Sequence, residues 1–178
     1  MEAIQLAKNA TVTDLHPMEE RSLTAARRRA RQLIKKSTRK LNNHLDTALP
    51  GKHTKEMYDQ LTGTQATILC QLRTGMSRLN SYLSKIKASD SALCECDKAE
   101  VETSAHYLFE CPTWEAYRNE LKGSEVQRWK DLPYFVGGRT ERTAPNGELI
   151  DGDRKHWAPN MEVVKRTIEY AMKTERLQ

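Results

Sequence analysis

The sequence has few aromatic residues and lacks a long apolar run. Aromatic residues make up 6% and hydrophobic residues 38% of the 178 positions, so we expect one domain with a modest, loosely helical core. No run approaches the roughly 18 apolar residues that a membrane-spanning helix requires. The first 20 residues contain no apolar core of a secretory signal. These absences predict a soluble protein that is made in the cytosol and makes no membrane contact.

The sequence also lacks the patterns that most enzymes need. It has no glycine-rich phosphate loop, and its acids are not grouped as two-metal nuclease chemistry requires. Asp151 and Asp153 flank a glycine in a turn-rich stretch, which predicts a loop. The histidines outside the cysteine cluster are scattered and predict surface or packing roles: His16, His44, His53 and His156. The chain is therefore predicted not to be an enzyme.

Cysteine is scarce, and three of the four cysteines lie near one histidine. The pattern is Cys94-Glu-Cys96, His106 and Cys111. Three thiolates and an imidazole complete the tetrahedral ligand set of a structural zinc ion and leave no position for a catalytic water. The same spacing admits a second interpretation, in which four small groups pack together without a metal. We expect a loop to carry the first pair and a helix over 102–110 to carry His106, with Cys111 at its end.

Basic charge is concentrated in one segment. Residues 21–40 contain nine of the 29 basic side chains and no acid, and the other residues carry 20 basic against 24 acidic side chains. Such a run predicts contacts with phosphates or with a nuclear-import receptor, although a solvated helix face is an equally open interpretation. The expected contacts are Arg27, Arg28, Arg29, Arg31, Lys35 and Lys36. Residues 18–49 contain no aromatic residue for base stacking, so only electrostatic attraction to nucleic acid is expected.

Apolar periodicity predicts a mainly α fold. A basic amphipathic helix is expected within 14–50, and shorter helices near 55–74, 78–86, 114–121 and after Asn160. Leu45 and Ala48 belong to the apolar side of the first helix, Cys70 to that of the second, and Met172 to that of the last. The turn formers of 131–158 predict a weak hairpin or an irregular loop.

The predicted architecture is short helices around a small CCHC unit that resembles a zinc knuckle, with irregular C-terminal loops. Its segments are 1–13, 14–50, a helical core at 51–121 that includes the CCHC unit, and a loop-rich segment at 122–178 with the final helix.

The stretch QATILCQLRTGMSRLNSYLSKI, over 65–86, precedes CEC and ETSAHYLFECPTW. Together they resemble the C-terminal end of fungal LINE-type, non-LTR retrotransposon polyproteins, and the similarity runs from about residue 55 to the end. EAIQLAKNA, within 1–13, resembles the closing helix of a ribonuclease H domain, where the family's aspartate position falls on Ile4. The resemblance implies a remnant that carries neither reverse transcriptase nor ribonuclease H activity. Asp97 stands where the family usually has glycine.

A short free-standing protein of this kind resembles the EKA-type avirulence effectors of powdery mildew fungi. The resemblance implies a non-enzymatic effector that is made in the fungal cytoplasm and acts in the cytoplasm of host plant cells, with the nucleus as an open alternative. It implies host proteins as partners, including intracellular resistance receptors of the nucleotide-binding leucine-rich-repeat type. Two alternatives stay open: a zinc-stabilised nucleic-acid-binding module, and a fragment without function.

Overall fold

The computed structural model describes residues 23–30, 45–49, 51–96, 99–153 and 157–178. Its chain divides into two units, Met1–Asn42 and Asn43–Gln178. The described residues are mainly helical, as the periodicity predicts, and the β-structure among them is limited to two isolated antiparallel bridges. Among the same residues, no helix is both long and apolar enough to cross a membrane.

The first helices of the second unit are shorter than the sequence predicts. They are α1 His53–Tyr58, α2 Gly63–Thr74 and α3 Asn80–Leu83. The helix expected near 55–74 is interrupted because Thr62 adopts an extended conformation and caps α2: its side chain accepts from the Gln65 N–H, and the Gln65 side chain accepts from the Thr62 N–H. The end of α2 at Gly75, which is left-handed with φ 70°, agrees with the prediction.

Cys70 is exposed, although the sequence predicts it in the core. The buried side chains of α2 belong to Ile68, Leu69 and Leu72. Each residue advances about 100° around an α-helix, so Cys70 points away from the face that these three residues share. The apolar character of a thiol therefore does not decide on which face it lies.

The remaining elements end in the last helix, against which three of the described helices pack. They are α4 Ser104–Phe109, a 3₁₀ turn at Pro112–Trp114, α5 Glu115–Lys122, α6 Leu132–Phe135 and α7 Met161–Thr174. Helix α7 contacts α2, α5 and α6. Asn160 caps it as predicted, since its side-chain oxygen accepts from the N–H groups of Glu162 and Val163. Met172, expected in the buried stripe, is 38% exposed and lies outside the core.

Aromatic rings join the core between α4 and the later elements. Phe109 meets Trp129 and Phe135 edge-on, with ring centroids 5.2 Å apart in each pair. Tyr107 packs against Tyr170 of α7 at 5.4 Å, and the Tyr170 hydroxyl donates to the Tyr107 carbonyl at 2.9 Å. Helix α4 is thus held against α7 by both apolar contact and hydrogen bonding.

The turn-rich segment 131–158 contains a short hairpin, which is one of the two structures predicted for it. Thr143 and Leu149 pair across an antiparallel bridge, and the Ile150 N–H donates to the Arg142 carbonyl at 3.0 Å. The hairpin follows α6, a helix that the turn formers do not predict. Asp151 lies at its end, where it accepts from the Thr140 N–H at 2.7 Å.

The predicted basic helix is only partly within the described residues. Residues 23–30 are helical, with Ala26 and Ala30 exposed. Residues 45–49 form turns rather than helix, so the prediction that Leu45 and Ala48 continue the helical face is wrong. The physical reason is a docking contact within the second unit, because the Thr47 N–H donates to the Arg139 carbonyl at 2.9 Å.

Candidate metal centre

A small hairpin presents the first two cysteines. Leu93 and Val101 pair across an antiparallel bridge, and between them the Cys94 N–H donates to the Glu100 carbonyl at 2.7 Å. Cys94 therefore lies beside the bridge, and Cys96 follows it two residues further along the same hairpin. Asp97, which stands where the retrotransposon polyproteins usually have glycine, lies outside the described residues.

Helix α4 supplies the other two candidate ligands. Its first turn is fixed by Thr103, whose hydroxyl accepts from the His106 N–H at 3.1 Å. After the helix ends, the Cys111 N–H donates to the His106 carbonyl at 2.8 Å. This bond keeps Cys111 close to the part of α4 that carries His106. The helix predicted over 102–110 is shorter than expected at both ends, but it carries His106 as predicted.

The four donor atoms converge on one point. The Sγ atoms of Cys94, Cys96 and Cys111 and a ring nitrogen of His106 all lie within 4.8 Å of one another. The Cys94 and Cys111 sulfurs are 3.7 Å apart, and the Cys96 sulfur lies 3.4 Å from His106 Nε2. His106 and Cys111 are buried, whereas Cys94 and Cys96 are partly exposed. Such a cluster of soft donors can hold a metal ion.

Glu100 orients the histidine of the cluster. Its Oε2 atom lies 2.9 Å from His106 Nδ1, on the opposite side of the ring from the Cys96 sulfur. A carboxylate at Nδ1 favours the tautomer that carries its proton there and leaves the Nε2 lone pair free to bind a metal. Glu110 belongs to a second group with Glu100 and His106, in which the possible ligand atoms lie within 4.8 Å of one another. Glu100 is not among the residues predicted from the sequence, although its place between the ligands in the hairpin is a usable signal.

The cysteine thiols titrate differently. Burial raises the pKa of Cys94 to about 12; a backbone hydrogen bond from Cys96 opposes this shift, and side-chain hydrogen bonds with Cys96 and Cys111 add to it. Burial acts in the same direction on Cys111, but hydrogen bonds from the side chain and backbone of Thr113 lower its pKa on balance. Without a cation, a thiolate at Cys111 therefore disfavours ionisation of Cys94. A bound divalent ion would replace these protons and stabilise several thiolates together.

An ion pair with a buried carboxylate anchors the hairpin to the rest of the fold. The Glu102 carboxylate accepts from the Asn80 N–H at 2.7 Å, at the start of α3, and from the Arg176 guanidinium. The Asn80 side-chain amide donates to the Leu93 carbonyl at 2.8 Å. The candidate metal loop is thus attached to α3 and to the chain after α7. No local sequence pattern indicates this attachment.

Two groups of described acidic and histidine side chains outside the cluster make structural contacts. Asp46, His53 and Thr54 lie together, but the carboxylate (2.9 Å) and the hydroxyl (3.2 Å) both contact the same imidazole nitrogen, Nε2. This arrangement cannot relay a proton from the hydroxyl through the ring to the carboxylate, as a nucleophilic triad does. Asp151 pairs with Arg128 at 2.6 Å, which fixes the loop in which the sequence places it.

Three of the predicted basic contacts are within the described residues. Arg27, Arg28 and Arg29 are exposed and follow one another in the helical stretch 23–30. Consecutive residues on a helix are about 100° apart, so the three side chains are spread over about 200° of its circumference. The other predicted contacts, Arg31, Lys35 and Lys36, lie outside the described residues.

Comparison with known proteins adds no relative. No protein-family model matches the chain. Neither the curated proteins nor the solved structures provide a match.

Proposed function

We propose that this protein is a non-enzymatic effector derived from the end of a LINE retrotransposon, built on a zinc-organised helical unit and acting inside host plant cells through protein contacts. The observation that carries the zinc-organised unit is the convergence of Cys94, Cys96, His106 and Cys111 within 4.8 Å. The effector role rests on the resemblance of the sequence to the EKA-type effectors. Four protein ligands close a tetrahedral site, which suits a structural ion and leaves no place for a substrate or an activated water.

Zinc is the proposed metal because of the donor set. Thiolate and imidazole ligands in a tetrahedral arrangement favour zinc over calcium, magnesium or manganese, which prefer oxygen. The Glu100 contact to His106 supports the proposal, since such a carboxylate commonly orients a zinc-bound histidine. The first measurement is the metal content of the purified protein, where about one zinc per chain is expected.

An effector of this type should require its metal unit for recognition. We would express the protein with candidate resistance receptors in plant leaves and score cell death. The Cys94→Ser/Cys111→Ser variant should lose the response, whereas Cys70→Ser, which changes an exposed thiol outside the cluster, should keep it. Silencing the transcript in the fungus should alter infection on at least one host genotype. Unchanged infection on every genotype would contradict the effector function.

A second candidate function is nucleic-acid binding. The exposed side chains of Arg27, Arg28 and Arg29 favour it, because solvent-facing guanidinium groups can pair with phosphates. Affinity of this kind falls steeply with salt. A mobility-shift assay at low and physiological salt tests it, and the absence of binding at low salt rejects it.

The nucleic-acid assay has a charge-matched control. Replacing Arg27, Arg28 and Arg29 by Gln should weaken binding and reduce the slope of log K against log salt by about 0.9 for each phosphate that the variant no longer neutralises. A second triple variant changes Lys85, Lys87 and Lys165 to Gln, which removes the same charge at exposed sites elsewhere. An equal decrease in affinity in the two variants would indicate attraction to net charge and contradict a role for 27–29.

A further inference from the structure

Two sulfur atoms of the candidate metal centre are placed to react with each other. The Sγ atoms of Cys94 and Cys111 are 3.7 Å apart, although the residues are 17 positions apart in the chain. Cys94 is partly exposed, whereas Cys111 is buried. The third sulfur, that of Cys96, lies against His106 Nε2 at 3.4 Å. One cysteine of the pair is therefore open to a small oxidant, and its neighbour is protected and in reach.

We propose that Cys94 and Cys111 form an oxidation site, at which a peroxide converts the two thiolates to an intramolecular disulfide and expels the metal. The proposal rests on the zinc centre of the proposed function, and it adds a regulatory modification to that centre. Its ligand is hydrogen peroxide, for which the partial exposure of Cys94 provides access.

The reaction balances as a two-electron oxidation. The Cys94 thiolate attacks one peroxide oxygen, the O–O bond breaks, and a sulfenic acid and a hydroxide form. The Cys111 thiolate then attacks the Cys94 sulfur, and the S–O bond breaks to release a second hydroxide. Two thiolates have been oxidised to one disulfide, and the peroxide has been reduced to two hydroxides, which take up protons to become water.

The metal leaves because half of its ligands are consumed. A disulfide sulfur is a far weaker ligand than a thiolate, so only Cys96 and His106 remain. The competing product, a disulfide between Cys94 and Cys96, would close a ring across a single intervening residue. The pair formed with Cys111 instead joins the hairpin to the end of α4, two elements that the fold already holds together.

The oxidised unit should remain folded. The Glu102–Arg176 ion pair and the packing of Tyr107 against Tyr170 do not involve the metal ligands. The new bond closes a loop within the native arrangement, which restrains the unfolded chain. Oxidation is therefore expected to replace the cross-link through the metal by a disulfide between Cys94 and Cys111. A dithiol reductant should reverse it.

The experiment uses the full chain with Cys70→Ser, so that the only remaining thiols belong to the cluster. Zinc content is measured first. Hydrogen peroxide is then added stepwise while a chromogenic chelator reports released zinc, and the cysteines are located by peptide mapping without reduction. We expect about one zinc released per chain, with loss of two thiols and a linked peptide that joins Cys94 to Cys111. Dithiothreitol followed by zinc should restore the starting state.

The outcomes separate this proposal from the metal centre on which it rests. A chain that takes up no zinc contradicts the centre and overturns both. A chain that holds zinc and keeps it under excess peroxide overturns the oxidation site alone, as does release with Cys111 unpaired or with Cys94 linked to Cys96. The Cys70→Ser/Cys96→Ser variant keeps the reacting pair and should still yield the disulfide. Its failure to do so in a folded protein would also overturn the proposal.

Discussion

Glu102 and Arg176 form a two-pronged ion pair that joins the hairpin of the candidate metal centre to the chain after α7. Arg176 Nε donates to Glu102 Oε1 at 2.8 Å, and its terminal nitrogen to Oε2 at 2.6 Å. The glutamate side chain is 5% exposed. A buried carboxylate with a bidentate guanidinium partner is a strong and directional contact. The pair therefore joins the hairpin to the chain after α7 through contacts that involve none of the candidate metal ligands.

Removing the arginine should destabilise the protein strongly. In Arg176→Met the Glu102 carboxylate keeps its bond from the Asn80 N–H but loses its charged partner, and an uncompensated buried charge typically costs about 3 kcal/mol of unfolding free energy. Urea unfolding measures it. Arg78→Met, which removes an exposed arginine near the same chain end, should change the free energy by about 0.5 kcal/mol or less. Similar destabilisation in both variants would contradict the structural role of the pair.

Local signals explain what the sequence predicted correctly. Gly75 ends α2, Asn160 caps α7, and the cysteine spacing brings the four candidate ligands together. Gly75 and Asn160 lie at the ends of the helices that they terminate or cap. The four candidate ligands lie within one hairpin and the helix that follows it. Capping and turn preferences act over such short distances, so one sequence suffices to detect them.

Contacts between distant segments could not be predicted in this way. Arg176 is 74 positions from Glu102, and Arg73 is 27 positions from Asp46. Any of the 24 acidic residues could pair with either arginine as far as the sequence shows. Cys70 illustrates a different limit, because its residue type suits both a core and an exposed position. Burial of its neighbours, which depends on the whole fold, decides between the two.

Glu100 should strengthen metal binding without touching the metal. Removal of the carboxylate that orients a metal-bound histidine weakens affinity by roughly ten- to a hundredfold, and Glu100→Gln, which keeps the shape, should lie at the lower end. Competition with a chromogenic zinc chelator measures the affinity. Glu95→Gln is the matched control, because it removes an exposed carboxylate from the same hairpin. Equal affinities of the two variants would show that the His106 contact has no effect on the metal.

Gly138 should be required for the docking of residues 45–49. A Cβ atom at this position would lie 1.7 Å from the Leu45 carbonyl oxygen, a backbone atom that cannot rotate away. We expect Gly138→Ala to cost about 1–3 kcal/mol of unfolding free energy through this overlap. Gly63→Ala is the control, since a Cβ atom there meets nothing within 4 Å at the start of α2. Unchanged stability of Gly138→Ala in urea would show that this close approach does not hold in solution.

Asp46 should make the protein sensitive to acid. Burial would raise its pKa, but hydrogen bonds from His53, Arg73 and the Arg139 N–H hold the pKa of this carboxyl below its ordinary value of 3.8. A carboxyl with a lower pKa in the folded than in the unfolded state stabilises the protein above about pH 4, and this stabilisation is lost as the pH falls through the folded value.

The comparison of two variants isolates this carboxyl. Asp46→Asn keeps His53 and Arg73 but has no proton to gain, so its urea midpoint should fall less than that of the parent as the pH drops below about 4. Asp59→Asn removes an exposed acid that pairs with Lys55 and should follow the parent curve, because an exposed pair contributes little. If the midpoint of Asp46→Asn declined as steeply as that of the parent, the acid sensitivity would have to arise from other carboxylates.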